Sequence, residues 1–347
     1  MDRRTSLKIS AMGLGSLATG AGFGGPGEGD AASPSPLPRA GSPGGGVGRP
    51  VRVVSVAFAP GRPLEQIVEL IDQQAAQGAD IVAIPETCRG QSENTQETLD
   101  GPTVSAMARL ARKHQTYIVC PIDRKYGEQR FNSVVLLNRT GRVVCVYDKI
   151  FPVWATECMK RHVLPGEQVR VYQADFGRVG FAICFDVNWS PIWERLANHG
   201  AELVIWPSAY SAGRSLQAQA IAYNYYIVSS TWVPDCHVYD IDGQELVHDE
   251  HNKDAKTNVT CVTLDLDRSI FHQDLNLPDK LHRLLEERGE DVEQEKWMPL
   301  EGWFVLRAKR PGISCRELAR DYGLEELRHY INRSRCEIDK CRGWEFA

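Results

Sequence analysis

Between Val51 and Leu266 the chain alternates short runs of β-branched and aromatic residues with segments whose apolar residues share one helical face. Val51–Phe58 reads as a first strand. Pro63–Gln77 reads as a helix with Leu64, Ile67, Val68, Ile71 and Ala75 on one side and Gly78 as its stop. Asp80–Ile84 is a short apolar strand, a second helix is expected near Val104–His114, and Tyr117–Ile122 is the next strand. Hairpins then enter the pattern: Phe131–Asn138 and Arg142–Lys149 flank Thr140–Gly141, and Cys236–Ile241 and Gln244–His248 flank Asp242–Gly243. Between the hairpins come Val169–Ala174, Arg178–Cys184, a helix to His199, Glu202–Trp206, a helix near Arg214–Asn224 and Tyr226–Trp232; Asn258–Leu266 closes the domain. This order predicts an α/β layered domain with a mixed sheet rather than a doubly wound parallel one.

The flanks differ. Residues 1–22 resemble a twin-arginine export signal, with Arg3–Arg4 ahead of Leu7–Lys8 and then a weakly apolar Gly- and Ala-rich stretch. That resemblance implies a periplasmic or extracellular protein; a basic N-terminus with no targeting role implies a cytoplasmic one. Residues 23–50 are dominated by Gly, Pro, Ser and Ala and read as a disordered linker. Residues 267–347 are charged, carry Trp297, Trp303–Phe304 and Trp344–Phe346, and suggest one helix, Cys315–Arg335. They read as a C-terminal extension packed on a partner, as an oligomer contact, or on the domain surface; the alternative is a C-terminal subdomain that contributes only stability.

With 42% apolar and 24% charged residues, the 347-residue chain has the composition of a soluble globular protein. A net charge of -5 gives no reason to expect nucleic acid or an anionic membrane as partner, and no run of 18 apolar residues is present. The ten cysteines form no CxxC pair, and no Cys/His group has zinc spacing. Cys315, Cys336 and Cys341 lie in a polar tail where a disulfide is permitted but not required. The nine histidines show no pairing pattern with cysteine and read as surface or packing residues.

Chemistry concentrates at strand ends. Arg178–Cys184 is an apolar run that ends at a thiol, and a helical pattern opens near Pro191. Cys184 is therefore either a nucleophile at a strand-to-helix turn, where nearby amides favour the thiolate, or a buried apolar cysteine. Glu86 follows Ile84–Pro85, Lys149 closes Val146–Tyr147–Asp148, and Glu157 lies eight residues beyond Lys149. A thiolate attacking an acyl-type carbon needs a carboxylate to take its proton and later activate water. It also needs a fixed cation, with a backbone N–H after the cysteine, for the oxyanion. A second carboxylate orients substrate or assists the first.

Five blocks in order carry a family resemblance: Ile84–Pro85–Glu86, Phe131–Asn132–Ser133, Tyr147–Asp148–Lys149–Ile150–Phe151–Pro152, Gly180–Phe181–Ala182–Ile183–Cys184–Phe185–Asp186, and Gly200–Ala209. Over 51–266 the chain resembles the nitrilase superfamily of carbon–nitrogen hydrolases. The resemblance implies an αββα sandwich that becomes four-layered αββααββα on dimerisation, and a homodimer or larger homo-oligomer. It implies Cys184 as nucleophile, Glu86 as general base, Lys149 as oxyanion stabiliser and Glu157 as second glutamate, with a small amide-type substrate and no cofactor. Glu167 is a rival for the second-carboxylate place; the eight-residue spacing favours Glu157.

Cys184–Phe185–Asp186 stands where the nitrilase branch usually has Cys–Trp–Glu, as in amidase and carbamoylase branches. Asn188–Trp189–Ser190–Pro191 replaces the common Arg-Phe-Pro-Glu. Trp154, Phe185, Trp189, Tyr210 and Trp232 are candidates for shaping the pocket, or plain packing residues. The expected activity is hydrolysis of a non-peptide C–N bond through a thioester-type acyl-enzyme, on an amide or an N-carbamoyl amine. The alternatives are acyl transfer to an amine from the same thioester, and a catalytically silent interaction module.

Overall fold

The computed structural model describes residues 47–233, 235–249, 256–276 and 278–343. The export-signal reading of 1–22 and most of the linker reading of 23–50 fall outside the described residues. The linker's last residues belong to the domain. Pro50 opens the first strand, and the Arg49 guanidinium grips buried Glu202 and the Leu266 carbonyl.

The first half of the chain builds one sheet from β1 (Pro50–Phe58), β2 (Ile81–Ala83), β3 (Gln96–Glu97), β4 (Tyr117–Tyr126), β5 (Gln129–Leu137) and β6 (Val143–Asp148). Its helices are α1 (Leu64–Ala75) and α2 (Pro102–His114). A short helix α3 (Met159–Arg161) leads to the second sheet. That sheet comprises β7 (Val171–Ala174), β8 (Gly177–Phe181), β9 (Leu203–Ser208), β10 (Tyr226–Thr231), β11 (Cys236–Tyr239) and β12 (Glu245–Asp249). Its helices are α4 (Ser190–Asn198) and α5 (Gly213–Tyr223). Strand β13 (Thr257–Asp265) returns to the first sheet beside β1, antiparallel. The sheet orders are β13-β1-β2-β4-β5-β6, with β3 on β4, and β12-β11-β10-β9-β8-β7.

Strand alternation explains the layering. In β1, Val51 and Val53 point to a core shared with Val179, Phe181, Ile205 and Val228 of the second sheet. Val54, Val56 and Phe58 point the other way, to Ile67 and Ile71 of α1 and Met107 and Leu110 of α2. The second sheet repeats this, burying Val204, Trp206 and Ile227 against Trp193 and Leu196 of α4 and Leu216 of α5. Three successive apolar interfaces make an αββα sandwich.

The tail departs from the single expected helix. It folds β14 (Ser269–His272), β15 (Val292–Met298) and β16 (Trp303–Ala308) into a third sheet. Helices α6 (Gln273–Asn276), α7 (Pro278–Arg288) and α8 (Cys315–Asp321) accompany it. Phe271, Leu284, Val292, Phe304, Leu306 and Leu318 give the tail a core of its own. The expected Cys315–Arg335 helix is two helices, α8 and α9 (Leu327–Arg342). The break falls at Gly323, whose φ of 73° is left-handed and stops a helix. The tail packs on the sandwich through charge: Arg316 pairs with Glu202, and Arg268 with Asp240.

Candidate active site

The five resembling blocks converge at one end of the two sheets. Glu86 follows β2, Lys149 follows β6, and Glu157 sits in a π-helical turn, Trp154–Cys158. Glu86, Lys149, Glu157 and Cys184 are 3, 1, 3 and 5% exposed. The Lys149 ammonium lies 2.9 Å from Glu86 Oε1 and 2.7 Å from Glu157 Oε2. Asn132 on β5 closes a ring, its Nδ2 donating to Glu86 Oε1 and Glu157 Oε1 at 2.7 Å each. Glu157 is held further by the Val153 N–H and by Gln91. The Trp232 indole N–H donates to the Glu86 carbonyl. Glu86 Oε2, though buried, has no hydrogen-bond partner among the described residues.

Gly166 allows the loop after Glu157 to cross over Lys149. Its N–H donates to the Lys149 carbonyl at 2.8 Å, and a Cβ there would stand 2.1 Å from the Asp148 carbonyl oxygen.

Cys184 begins a short 3₁₀ turn, Cys184–Asn188, just past β8, and its φ is 46°. A left-handed conformation at a non-glycine residue is costly and recurs where function requires it. Asp186 secures the turn. Fully buried, it accepts from Tyr147 Oη at 2.7 Å, from the Ile183 N–H at 2.9 Å and from the Phe151 N–H at 2.9 Å. It thus ties the cysteine turn to both sides of Lys149. Burial raises the Asp186 carboxyl to about 6 against these bonds.

The expectation of a favoured thiolate is corrected. Burial and then the charge of Glu86 push the Cys184 thiol up to about 12, outweighing Lys149, the Ala209 N–H and the Ser208 hydroxyl. Burial also opposes the Lys149 ammonium, but Glu86, Cys184 and Glu157 outweigh it and raise its pKa. Burial likewise acts against the Glu157 carboxylate, yet Lys149 carries it below the usual range. The Glu157 carboxylate is therefore held by the Lys149 ammonium, beside a thiol that burial keeps protonated.

The pocket candidates divide. Tyr210 packs edge-on against Trp206, and its N–H donates to Ser208 Oγ at 3.0 Å. Burial and the nearby Cys184 charge push its hydroxyl up to about 12. Trp189 stacks on Phe151 at 4.1 Å and meets Phe185 edge-on at 4.9 Å, so these two rings form a half-buried wall beside the cysteine turn. Trp154 is 71% exposed and stands in solvent. Exposed Glu167 lies outside the lysine cluster, on a cleft of about 500 Å³ lined also by Arg124, Asp148 and Arg170. Asn132, Ser208, Tyr147 and Asp186 were not singled out in the sequence. All four lie inside the quoted blocks, so their signal was position rather than residue type. All ten cysteines are free, and Cys315 is buried against the Asp267 carbonyl.

The family model for carbon-nitrogen hydrolase matches residues 52–273. The chain belongs to that family. Among proteins similar to this hydrolase, a Drosophila melanogaster nitrilase and fragile histidine triad fusion protein is 30% identical over 190 residues, 49% of this chain and 41% of that one. A deaminated glutathione amidase of Synechocystis is 28% identical over 192 residues, 48% of this chain and 70% of that one. Of solved structures, an amidase from Nesterenkonia matches with a TM-score of 0.56 at 21% identity, covering 69% of this chain and 97% of that one. Saccharomyces cerevisiae Nit3, of the nitrilase superfamily, matches with a TM-score of 0.55 at 17% identity, covering 63% and 91%. These structures share the sandwich described above. Among the described residues of this hydrolase, no helix is long and apolar enough to cross a membrane.

Proposed function

We propose that this carbon–nitrogen hydrolase is a cysteine-dependent enzyme acting on a small amide or N-carbamoyl amine. One observation carries the reading: a buried carboxylate, Glu86, has one oxygen fixed by Lys149 and Asn132 and the other unpartnered, beside a thiol held at a left-handed turn.

Glu86 takes the Cys184 proton as sulfur bonds to the acyl carbon. The carbonyl oxygen becomes an oxyanion that Lys149 and a backbone N–H near the turn stabilise. Collapse breaks the C–N bond, and Glu86 returns its proton to the departing nitrogen, releasing ammonia or an amine and leaving a thioester. Water attacks the thioester as Glu86 takes one of its protons. Collapse then expels the thiolate, which recovers that proton, and frees the acid. The high thiol pKa makes proton transfer part of the attack rather than a step before it. Glu157 and Asn132 hold Lys149 and Glu86 in register; Tyr210 and Trp189 form the pocket wall.

The amide side is supported by relatives named as amidases and by a Nesterenkonia amidase structure that shows covalent addition of the acetamide moiety of fluoroacetamide at its active-site cysteine. The test is ammonia and amine release from amides, N-carbamoyl amines and nitriles by the wild type and Cys184→Ala. Turnover of one class, lost in the variant, is expected. Turnover that survives in Cys184→Ala overturns the reading. The same reading includes a homo-oligomer in which two sandwiches stack, with the tail contributing. Removing 279–347 is expected to change the mass in light scattering, and unchanged mass counts against a role for the tail.

A further inference from the structure

At the far end of the second sheet, two histidines face each other across the β11–β12 hairpin. His237 and His248 are directly opposed partners in the ladder, and their rings lie 4.3 Å apart. Asp235 immediately precedes β11. Its Oδ2 is 3.8 Å from His237 Nε2. One donor atom from each of Asp235, His237 and His248 lies within 4.8 Å of the other two. Glu245 sits behind the first imidazole, its Oε1 2.7 Å from His237 Nδ1, with the Tyr239 hydroxyl 3.3 Å from the same nitrogen. A carboxylate on Nδ1 fixes the ring and leaves Nε2 to face Asp235. This is the outer-shell arrangement that orients a ligating histidine.

We propose that Asp235, His237 and His248 form a site for a zinc-class divalent transition metal, with Glu245 as the support behind His237. Imidazole and carboxylate donors suit zinc, cobalt and nickel rather than calcium or magnesium. Tetrahedral ligation at about 2.0–2.2 Å brings donor atoms to about 3.3 Å apart. Asp235 and His237, both buried, are about half an ångström from that; His248 is exposed and turns the remaining distance. Three protein ligands leave the fourth position to water. With Nδ1–H donated to Glu245, His237 Nε2 offers its lone pair to the ion.

The pattern Asp-x-His followed eleven residues later by His has no zinc-motif spacing, so the sequence alone did not show it. Asp235 also accepts from Ser211 and Thr231. Ser211 follows the Ser208–Ala209 pair at Cys184, and Thr231 precedes Trp232, whose indole holds Glu86. A metal on Asp235 therefore braces two loops that flank the proposed nucleophile.

The test is Co²⁺ titration of chelator-stripped full-length protein, followed by visible spectroscopy and by metal analysis after gel filtration. The expected result is one equivalent per chain, with d–d bands and no thiolate charge-transfer band. Affinity should fall at least tenfold in His248→Ala, an exposed position, and in Asp235→Asn, and about tenfold in Glu245→Gln. Thiolate bands, or binding unchanged in His248→Ala, would place the ion on cysteines and overturn the proposal. No bound cobalt overturns it equally, leaving an imidazole packed between two carboxylates.

Discussion

Two regions of this molecule bury opposite charges, and they differ in what is left over. In the seam between sandwich and tail, both oxygens of Glu202 and both of Asp240 are bonded. Glu202 accepts from Arg49 and Arg316 on Oε1, and from Arg49 and the Arg178 N–H on Oε2. Asp240 accepts from Arg268 and the Ile241 N–H on Oδ1, and from Arg268 and Lys296 on Oδ2. In the pocket, Glu86 has both its bonds on Oε1 and none on Oε2. A saturated carboxylate does structural work. A buried carboxylate with a spare oxygen carries a desolvation cost that substrate chemistry can use.

The largest expected effect separates the two regions by activity. Cys184→Ala and Glu86→Gln should each lower kcat by about 10³ or more, with thermal midpoints near the wild type. The glutamine keeps an oxygen for Asn132 and Lys149 but cannot take a proton. Near-normal turnover in Glu86→Gln would move the general base elsewhere.

Lys149→Met should break both activity and fold. It leaves Glu86 and Glu157 buried without their shared cation, which costs about 3–5 kcal/mol in urea unfolding. A variant as stable as wild type would show that Glu86 and Glu157 do not depend on the shared ammonium for burial.

In the seam, Glu202→Gln should cost stability alone. Arg49 is partly solvated, so the loss is about 1–3 kcal/mol, while kcat stays within about twofold. A kcat fall as large as the pocket variants show would make the tail part of the catalytic unit.

The pocket was legible in the sequence and the seam was not, for a physical reason. Glu86, Lys149 and Cys184 each sit where an apolar strand ends, in blocks whose order marks the family. The order of strands, helices and hairpins also gave the layered domain. Glu202 and Asp240 look like ordinary surface acids, because their arginine partners come from residues far away in the chain. The tail's β15, Val292–Met298, carries four consecutive polar residues, Glu293 to Lys296, in place of an apolar alternation, and has no flanking turn as clear as Asp242–Gly243. Exposure of an aromatic ring is also set by tertiary packing, so Trp154 and Trp189 read alike although one stands in solvent and the other stacks on Phe151.

The thiol itself gives the smallest and most discriminating effect. With its pKa near 12, Cys184 carries little thiolate at neutral pH, and that fraction grows tenfold per pH unit. Alkylation by iodoacetamide, followed peptide by peptide in mass spectra, should therefore keep rising from pH 7 through pH 9.5. A free thiol of ordinary pKa, measured as a reference, levels off over that range. Glu86 is the second cause of the high value after burial. Removing its charge in Glu86→Gln lowers the thiol pKa and speeds labelling at a given pH, although the same change stops hydrolysis. Opposite signs for the two readouts separate a base that accepts the proton during attack from one that has already taken it. A labelling rate that levels off below pH 9, or slows in Glu86→Gln, would instead mean a thiolate preformed by Lys149.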